Sequence, residues 1–387
     1  MNILYITHCD PRVTNFGSAQ RSHYLWEALK QLGTVYTVYN VGAKEDLIRD
    51  EVNRICSACF SPEGYFRLRL FARFNNLFAP LVFPFRNQRA LLRKLPWSDV
   101  KFDKVVVRYL GNVALSNAWL FGDVYVDIDD LPTESFNTIR RNRFIPPFGW
   151  LGGKLVSWWQ NYILRKCKAS WIASPDQVSI VSSICPCVAL PNLPMPPALD
   201  YKVNGNQKHQ LMTVGLMSYE PNYEGVDWFL NNVWLDVKNK IPDLMYKICG
   251  RGTPERLCRK WSQMPGVEVL GFVEDIDRVY EESMAVITPI LSGAGTCIKV
   301  PEAALRGRKV FATPFAVRGI SGKDIHDMGI SVVGEAQELK SAIIAWMAKS
   351  GKARDDENSV IEGKTKSLYS ADKLYRIVKA TICNSNK

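Results

Sequence analysis

Between residues 285 and 313 the chain reads, in order, as an apolar strand, a small-residue loop, a helix and a second apolar strand. Residues 285–290 are a continuous apolar run, closed by Ser292-Gly293-Ala294-Gly295-Thr296. Residues 299–306 have helical composition with Glu302 in the first turns, and residues 309–313 form the second run. A βαβ unit of this kind puts two parallel strands into one sheet. Glycines directly after a strand let backbone N–H groups approach an anion. A helix start adds partial positive charge, and Lys299 adds a full one. That combination suits a diphosphate. Glu302, one turn further on, is acidic and suits hydroxyl groups better. A Gly-x-Gly loop alone also serves tight strand–helix turns for steric reasons.

The whole stretch is more specific than its loop. Pro289, Gly295, Thr296, Lys299, Glu302, Ala303, Gly307, Val310 and Thr313 follow the spacing of the donor-site segment of the group 1 glycosyltransferases of the GT-B fold, which this chain resembles. The resemblance implies two doubly wound, Rossmann-like α/β domains facing each other across a cleft. It implies a sugar nucleotide as co-substrate and retention of anomeric configuration. It also implies roles for residues. Lys299 and Arg251 neutralise the diphosphate, Gly295 and Thr296 donate N–H groups to it, and Glu302 takes ribose hydroxyls. Gly250 belongs to the matching Gly-Arg turn, and Val273 to the segment that meets the nucleobase edge. Two positions depart from the pattern. Ala294 stands where the wider family often has a second glutamate, and Cys297 where this branch often has an arginine.

The start of the chain has the same grammar. Residues 2–8 are an apolar strand, 17–32 a helix with Ala19, Tyr24, Leu25, Ala28 and Leu29 on its apolar face, and 34–40 a second strand. This opens a doubly wound domain. The resemblance matches Gly17 and Arg21 to a ligand-facing turn, with a solvated helix arginine as the alternative for Arg21. Residues 43–97 break the alternation and are expected to be helical. Further strands are expected at 104–109, 123–127, 171–174 and 188–190. The second of these ends in Asp127-Ile128-Asp129-Asp130, an Asp-x-Asp of the kind found at metal–diphosphate sites. It lies in another domain from the donor motif. The resemblance instead matches Asp127, Asp130 and Ser135, and assigns Asp130 to binding or orienting the acceptor as a catalytic candidate beside Lys299 and Arg251. Loop capping by Asx-type hydrogen bonds is the alternative for Asp127 and Asp129.

Pro191-Asn192-Leu193-Pro194-Met195-Pro196-Pro197 suits neither a helix nor a central strand. The expected organisation is an acceptor domain at 1–192, a proline-rich linker at 193–207, a donor-binding domain at 208–365 and a last helix at 366–387 that in this fold returns to the first domain. In the donor domain, strands are expected at 210–216, 244–249 and 267–270. An amphipathic helix after Glu220-Pro221-Asn222 carries Val226, Phe229, Leu230, Val233, Trp234 and Val237 on one face. Alternating strands and helices imply a parallel sheet covered on both faces. Arg251 then sits at a strand's carboxyl end, and a plain surface arginine in a turn is the alternative.

The net charge of +11 is uneven. Residues 64–98 and 135–175 contain no Asp or Glu and each holds seven Arg or Lys among aromatic side chains, Trp158 and Trp159 included. Basic and aromatic residues together favour an anionic membrane surface or a nucleic acid. Aromatics in a core under solvated arginines are the bland alternative. No RNA- or DNA-recognition motif accompanies the charge, so no nucleic acid is expected as partner. Ten cysteines and four histidines show no zinc spacing, and no metal or cofactor is expected. Unframed thiols suit a reducing cytoplasm. Residues 1–7 lack the basic lead of a signal peptide, and no apolar run reaches the ~18 residues needed to span a bilayer.

The expected protein is therefore a cytoplasmic retaining glycosyltransferase. It moves a sugar from a nucleoside-diphosphate sugar to a saccharide or lipid-linked acceptor in cell-surface polysaccharide synthesis. Peripheral association with the inner membrane face follows if the basic stretches meet lipid. The rivals are a sugar-nucleotide epimerase of the same fold, whose acid–base carboxylates and histidines have no matching set here, and a nucleic-acid-binding protein on a nucleotide-binding scaffold.

Overall fold

The computed structural model describes residues 1–14, 16–41, 48–58, 96–97, 99–134, 136, 149–203, 207–293 and 295–384. The chain divides into two compact units, Met1–Asn192 with Ala371–Lys387, and Leu193–Ser370. Ser135, Ala294 and nearly all of the basic stretch at 64–98 lie outside the described residues.

The first unit is built on one sheet of β1 (Asn2–Thr7), β2 (Thr34–Asn40), β3 (Arg49–Asp50), β4 (Ile55–Ala58), β5 (Lys104–Arg108), β6 (Asp123–Ile128), β7 (Ala169–Ile172) and β8 (Cys187–Ala189). Their order across the sheet is β3-β4-β2-β1-β5-β6-β7-β8. All neighbours run parallel except β3 against β4. The helices are α1 (Gly17–Lys30), α2 (Leu110–Ser116), α3 (Gly149–Leu164) and α4 (Val178–Ser182). The chain returns to this unit with a final helix, Ala371–Asn384, which packs along α1. Trp171 Nε1 donates to Thr381 Oγ1 of that helix at 3.0 Å. The helical expectation for residues 43–97 is corrected at β3 and β4. All four residues of β4 are buried, and a run that short has no period to separate a strand from a helical turn.

The second unit carries β9 (Gln210–Val214), β10 (Met245–Cys249), β11 (Val267–Gly271), β12 (Ala285–Thr288), β13 (Lys309–Ala312) and β14 (Ser331–Val332). The order is β11-β10-β9-β12-β13-β14, all parallel. β14 is too short to have shown itself in the sequence. The helices are α5 (Glu220–Phe229), α6 (Leu235–Lys240), α7 (Glu255–Ser262), α8 (Ile276–Glu282), α9 (Lys299–Leu305), α10 (Gly322–Asp327), α11 (Ala336–Met347) and α12 (Gly351–Leu368). A single π-helical stretch, Leu230–Trp234, joins α5 to α6, and the six apolar residues expected on this face are all buried.

Alternation along the strands feeds two apolar layers. Leu211, Tyr246, Ile248, Ala285, Ile287 and Phe311 pack on one face of the second sheet. Met212, Cys249, Val286, Val310 and Ala312 pack on the other. A parallel sheet covered on both sides needs both sets.

Each sheet begins in its middle and grows first to one side, then to the other. Crevices of doubly wound sheets open at the carboxyl ends of the strands where that reversal occurs. In these units the reversals fall between β1 and β5 and between β9 and β12.

Close packing holds the second crevice in place. A Cβ on Gly225 of α5 would lie 1.8 Å from Pro289 O, so the helix backbone rests on the chain as it leaves β12. Gly225→Ala must push the two apart and is expected to cost about 1–3 kcal/mol. The measurement is urea denaturation, with a lowered midpoint at unchanged slope. An unchanged midpoint would contradict this packing.

Candidate active site

At the second reversal, two strand ends meet through glycine. The N–H of Gly215, after β9, donates to Cys249 O at 3.0 Å. Gly250 follows β10 with φ of 134°, and a Cβ there would stand 1.6 Å from Gly215 O. Only glycine accepts both the backbone angle and the approach. On Gly215 rests the end of Lys299: a Cβ on Gly215 would lie 2.8 Å from both Cε and Nζ. The ammonium donates to Asn222 Oδ1. Asn222 is itself oriented, because its Nδ2 donates to Leu216 O at 2.7 Å. Lys299 is partly buried and forms no ion pair among the described residues. Burial presses its pKa down from the usual lysine value, with Cys297 and Glu302 opposing.

Glu302 lies one turn along α9. Burial raises its pKa, against the pull of Arg306. Arg306 Nη1 is 3.7 Å from the Glu302 carboxylate, while its Nε donates to Asp277 at 2.6 Å. The glutamate therefore shares its cation and keeps an oxygen for a hydroxyl donor. In the loop between, Gly295 adopts φ of 73° and its carbonyl accepts from Arg318. Thr296 follows it, partly buried. On the β10 side, the exposed Arg251 lies over Phe272, 4.9 Å from the ring centre. Val273, next in chain, packs on the second apolar layer. The structure thus brings Lys299, Gly250, Gly295, Thr296 and Glu302 to one strand-end region, with Arg251 and Val273 on its β10–β11 side. Sequence reasoning missed Asn222 and Gly215. Their signals were an asparagine just inside a helix and a glycine just after a strand.

The first reversal looks different. Gly17 opens α1 there, but Arg21 is 1% exposed. Its guanidinium donates to Asp127 at 2.6 and 2.9 Å, to Leu190 O at 2.7 Å and to Asn192 Oδ1 at 2.9 Å. The solvated alternative for Arg21 is corrected: its donors are engaged in the interior. Arg108, opposite Asp127 in the β5–β6 register, donates to Asp127 and, at 2.7 Å, to Asp129. Burial would raise the Asp129 pKa, but Arg108 and Arg21 outweigh it and hold the carboxyl far below its usual range. Asp127 and Asp129 are therefore neither loop caps alone nor an open carboxylate pair. Asp130 follows, half-buried. Arg108 was legible only as one of two charges, with Lys104, that bracket the apolar residues 105–107 of the strand. Among the described residues no cluster of His, Cys, Asp and Glu could hold a metal ion.

Residues 208–349 match the family described as Glycosyl transferases group 1. No curated protein matches the chain. Among solved structures, the chain is similar to sucrose-phosphate synthase from Thermosynechococcus elongatus, at 14% identity over 99% of this chain and 98% of that one, with a TM-score of 0.68. It is similar to HepE of Anabaena in complex with UDP, at 11% identity over 99% and 100% of the two chains, with a TM-score of 0.62. It is also similar to WaaG, a glycosyltransferase involved in lipopolysaccharide biosynthesis, at 11% identity over 97% and 99%, with a TM-score of 0.62. The chain therefore has the two-unit, Rossmann-like fold of the GT-B glycosyltransferases. The family match falls entirely within its second unit.

Two predictions follow from the first unit. Asp127→Asn would leave Arg21 and Arg108 short of a buried counter-charge, at a cost of about 3–5 kcal/mol; a thermal melt within a degree or so of wild type would contradict the network. The second concerns pH. Burial, then Arg108, holds the His8 imidazole down at about 4 instead of 6.5. Between those values the unfolded chain binds a proton that the folded one does not, so stability falls as pH drops through the window. His8→Gln should flatten the slope of melting temperature against pH there. Equal slopes in the two proteins would refute the assignment.

Proposed function

We propose that this protein is a retaining glycosyltransferase that moves a sugar from a nucleoside-diphosphate sugar to a saccharide or lipid-linked acceptor. The observation that carries the reading is Lys299: an ammonium partly withdrawn from water, held by a neutral amide and, among the described residues, by no carboxylate. A buried cation without a counter-charge is unfavourable until an anion joins it.

In this reading Lys299 and Arg251 neutralise the diphosphate, and the Gly295–Thr296 turn adds N–H donors. Negative charge grows on the leaving phosphate oxygen in the transition state, so fixed cations there lower the barrier. Glu302 accepts hydrogen bonds from ribose hydroxyls, and the segment at Val273 meets the base. The leaving phosphate takes the acceptor's proton in a front-face attack, so no separate general base is assigned. The cationic side chains take the neutralising role otherwise given to a metal. The first unit supplies acceptor recognition through Gly17 and Asp130.

A role in cell-surface polysaccharide synthesis is supported by the likeness to WaaG, and a uridine nucleotide by the likeness to the UDP complex of HepE. A lipid-linked acceptor is supported by α3, where the half-exposed Trp158 stacks on Tyr162 at 5.8 Å and Lys166 lies 5.5 Å from the same ring. Among the described residues no helix is long and apolar enough to cross a membrane.

Lys299→Ala tests the proposal. Turnover of a sugar nucleotide should fall by about 10²–10³, the cost typical of losing one charge-stabilising donor. Initial rates with wild-type protein as reference give the comparison. Sugar transfer at near wild-type rate would remove Lys299 from the chemistry.

A further inference from the structure

Two loops leave the carboxyl ends of the neighbouring strands β12 and β13. The first is the glycine loop at 289–296. The second runs from Thr313 through a 3-10 turn, Pro314–Val317, to Arg318. Thr313 Oγ1 donates to Ile290 O near the start of the glycine loop, and Arg318 Nη2 donates to Gly295 O near its end. The second loop therefore splints the first at both ends. The Arg318 guanidinium also lies over Phe315, 4.5 Å from the ring centre. It is partly buried and makes no ion pair among the described residues.

An arginine has five N–H donors, and one carbonyl and one ring face leave a fork of them without a partner among the described residues. A planar guanidinium fixed on two sides suits the paired oxygens of a phosphate, to which it can donate in parallel. A splint alone would need only the neutral hydrogen bond that Thr313 makes. We propose that Arg318 is a further diphosphate-binding residue: it holds the glycine loop through Gly295 and turns its remaining donors to the terminal phosphate of a nucleoside diphosphate. This rests on the donor site given under Proposed function, and it adds a residue that the glycine-loop motif does not contain.

The test is titration calorimetry on the full chain with UDP, GDP and ADP and with the matching monophosphates. It is run on wild type, Arg318→Gln and Arg318→Lys at about 50 mM and about 0.5 M salt, which screens exposed charge differently. For the base that binds, Arg318→Gln should weaken the diphosphate about tenfold to a hundredfold. The monophosphate should change by less than about twofold, since it lacks the terminal phosphate and the charge-assisted bond to it. The loss should shrink at high salt, and Arg318→Lys should recover part of it. A loss equal for both nucleotides, or equal at both salt concentrations, means a splint without phosphate contact and overturns the proposal. So does unaltered diphosphate binding by Arg318→Gln. Wild-type protein that binds neither nucleotide class would overturn the donor-site reading, and this one with it.

Discussion

The structure turns on one ammonium group seated on bare backbone. Lys299 reaches its position only because Gly215 has no side chain, and Gly215 is hemmed by Gly250 for the same reason. Asn222 holds the nitrogen without neutralising it. Each of these residues is placed by a parallel strand end or a helix start, so the charge is fixed by the sheet and not by a flexible side chain alone. Preorganised charge of this kind needs no rearrangement when a reacting group develops the opposite sign.

The two units use one topology for opposite electrostatic ends. At the first reversal, two arginines face two aspartates, and the four charges cancel inside the protein. Taking such ions out of water is costly, and the geometry must be good to offset it. That network ties β5, β6 and α1 together and joins them to the chain at Leu190 and Asn192. At the second reversal, Lys299 and Arg318 are left without carboxylate partners among the described residues, and Arg251 meets an aromatic ring. One strand-end region balances its charges internally, and the other keeps cations without carboxylate partners among the described residues.

Much of this was legible in the chain, for identifiable reasons. The strand–loop–helix–strand unit at 285–313 announced itself because apolar runs flank a small-residue loop, and its two strands pair in parallel as expected. The long face of α5 and α6 was legible because six apolar residues share it. Arg21 was not: nothing in helical spacing says that an arginine points inward, and its partner Asp127 is 106 positions away. Arg108 and Asn222 gave only a bare residue type at an element's end for the same reason, since each matters through a contact made by the fold. The strands at 49–50 and 55–58 were misjudged because they are too short to show a period.

The most direct measurement is a crystal structure of the protein grown with UDP or GDP. The account predicts the two phosphates over the Gly215–Gly250 turns, within hydrogen-bond reach of Lys299 Nζ, with the ribose toward Glu302. A nucleotide bound with its phosphates remote from Lys299, while that ammonium still donates to Asn222, would contradict it.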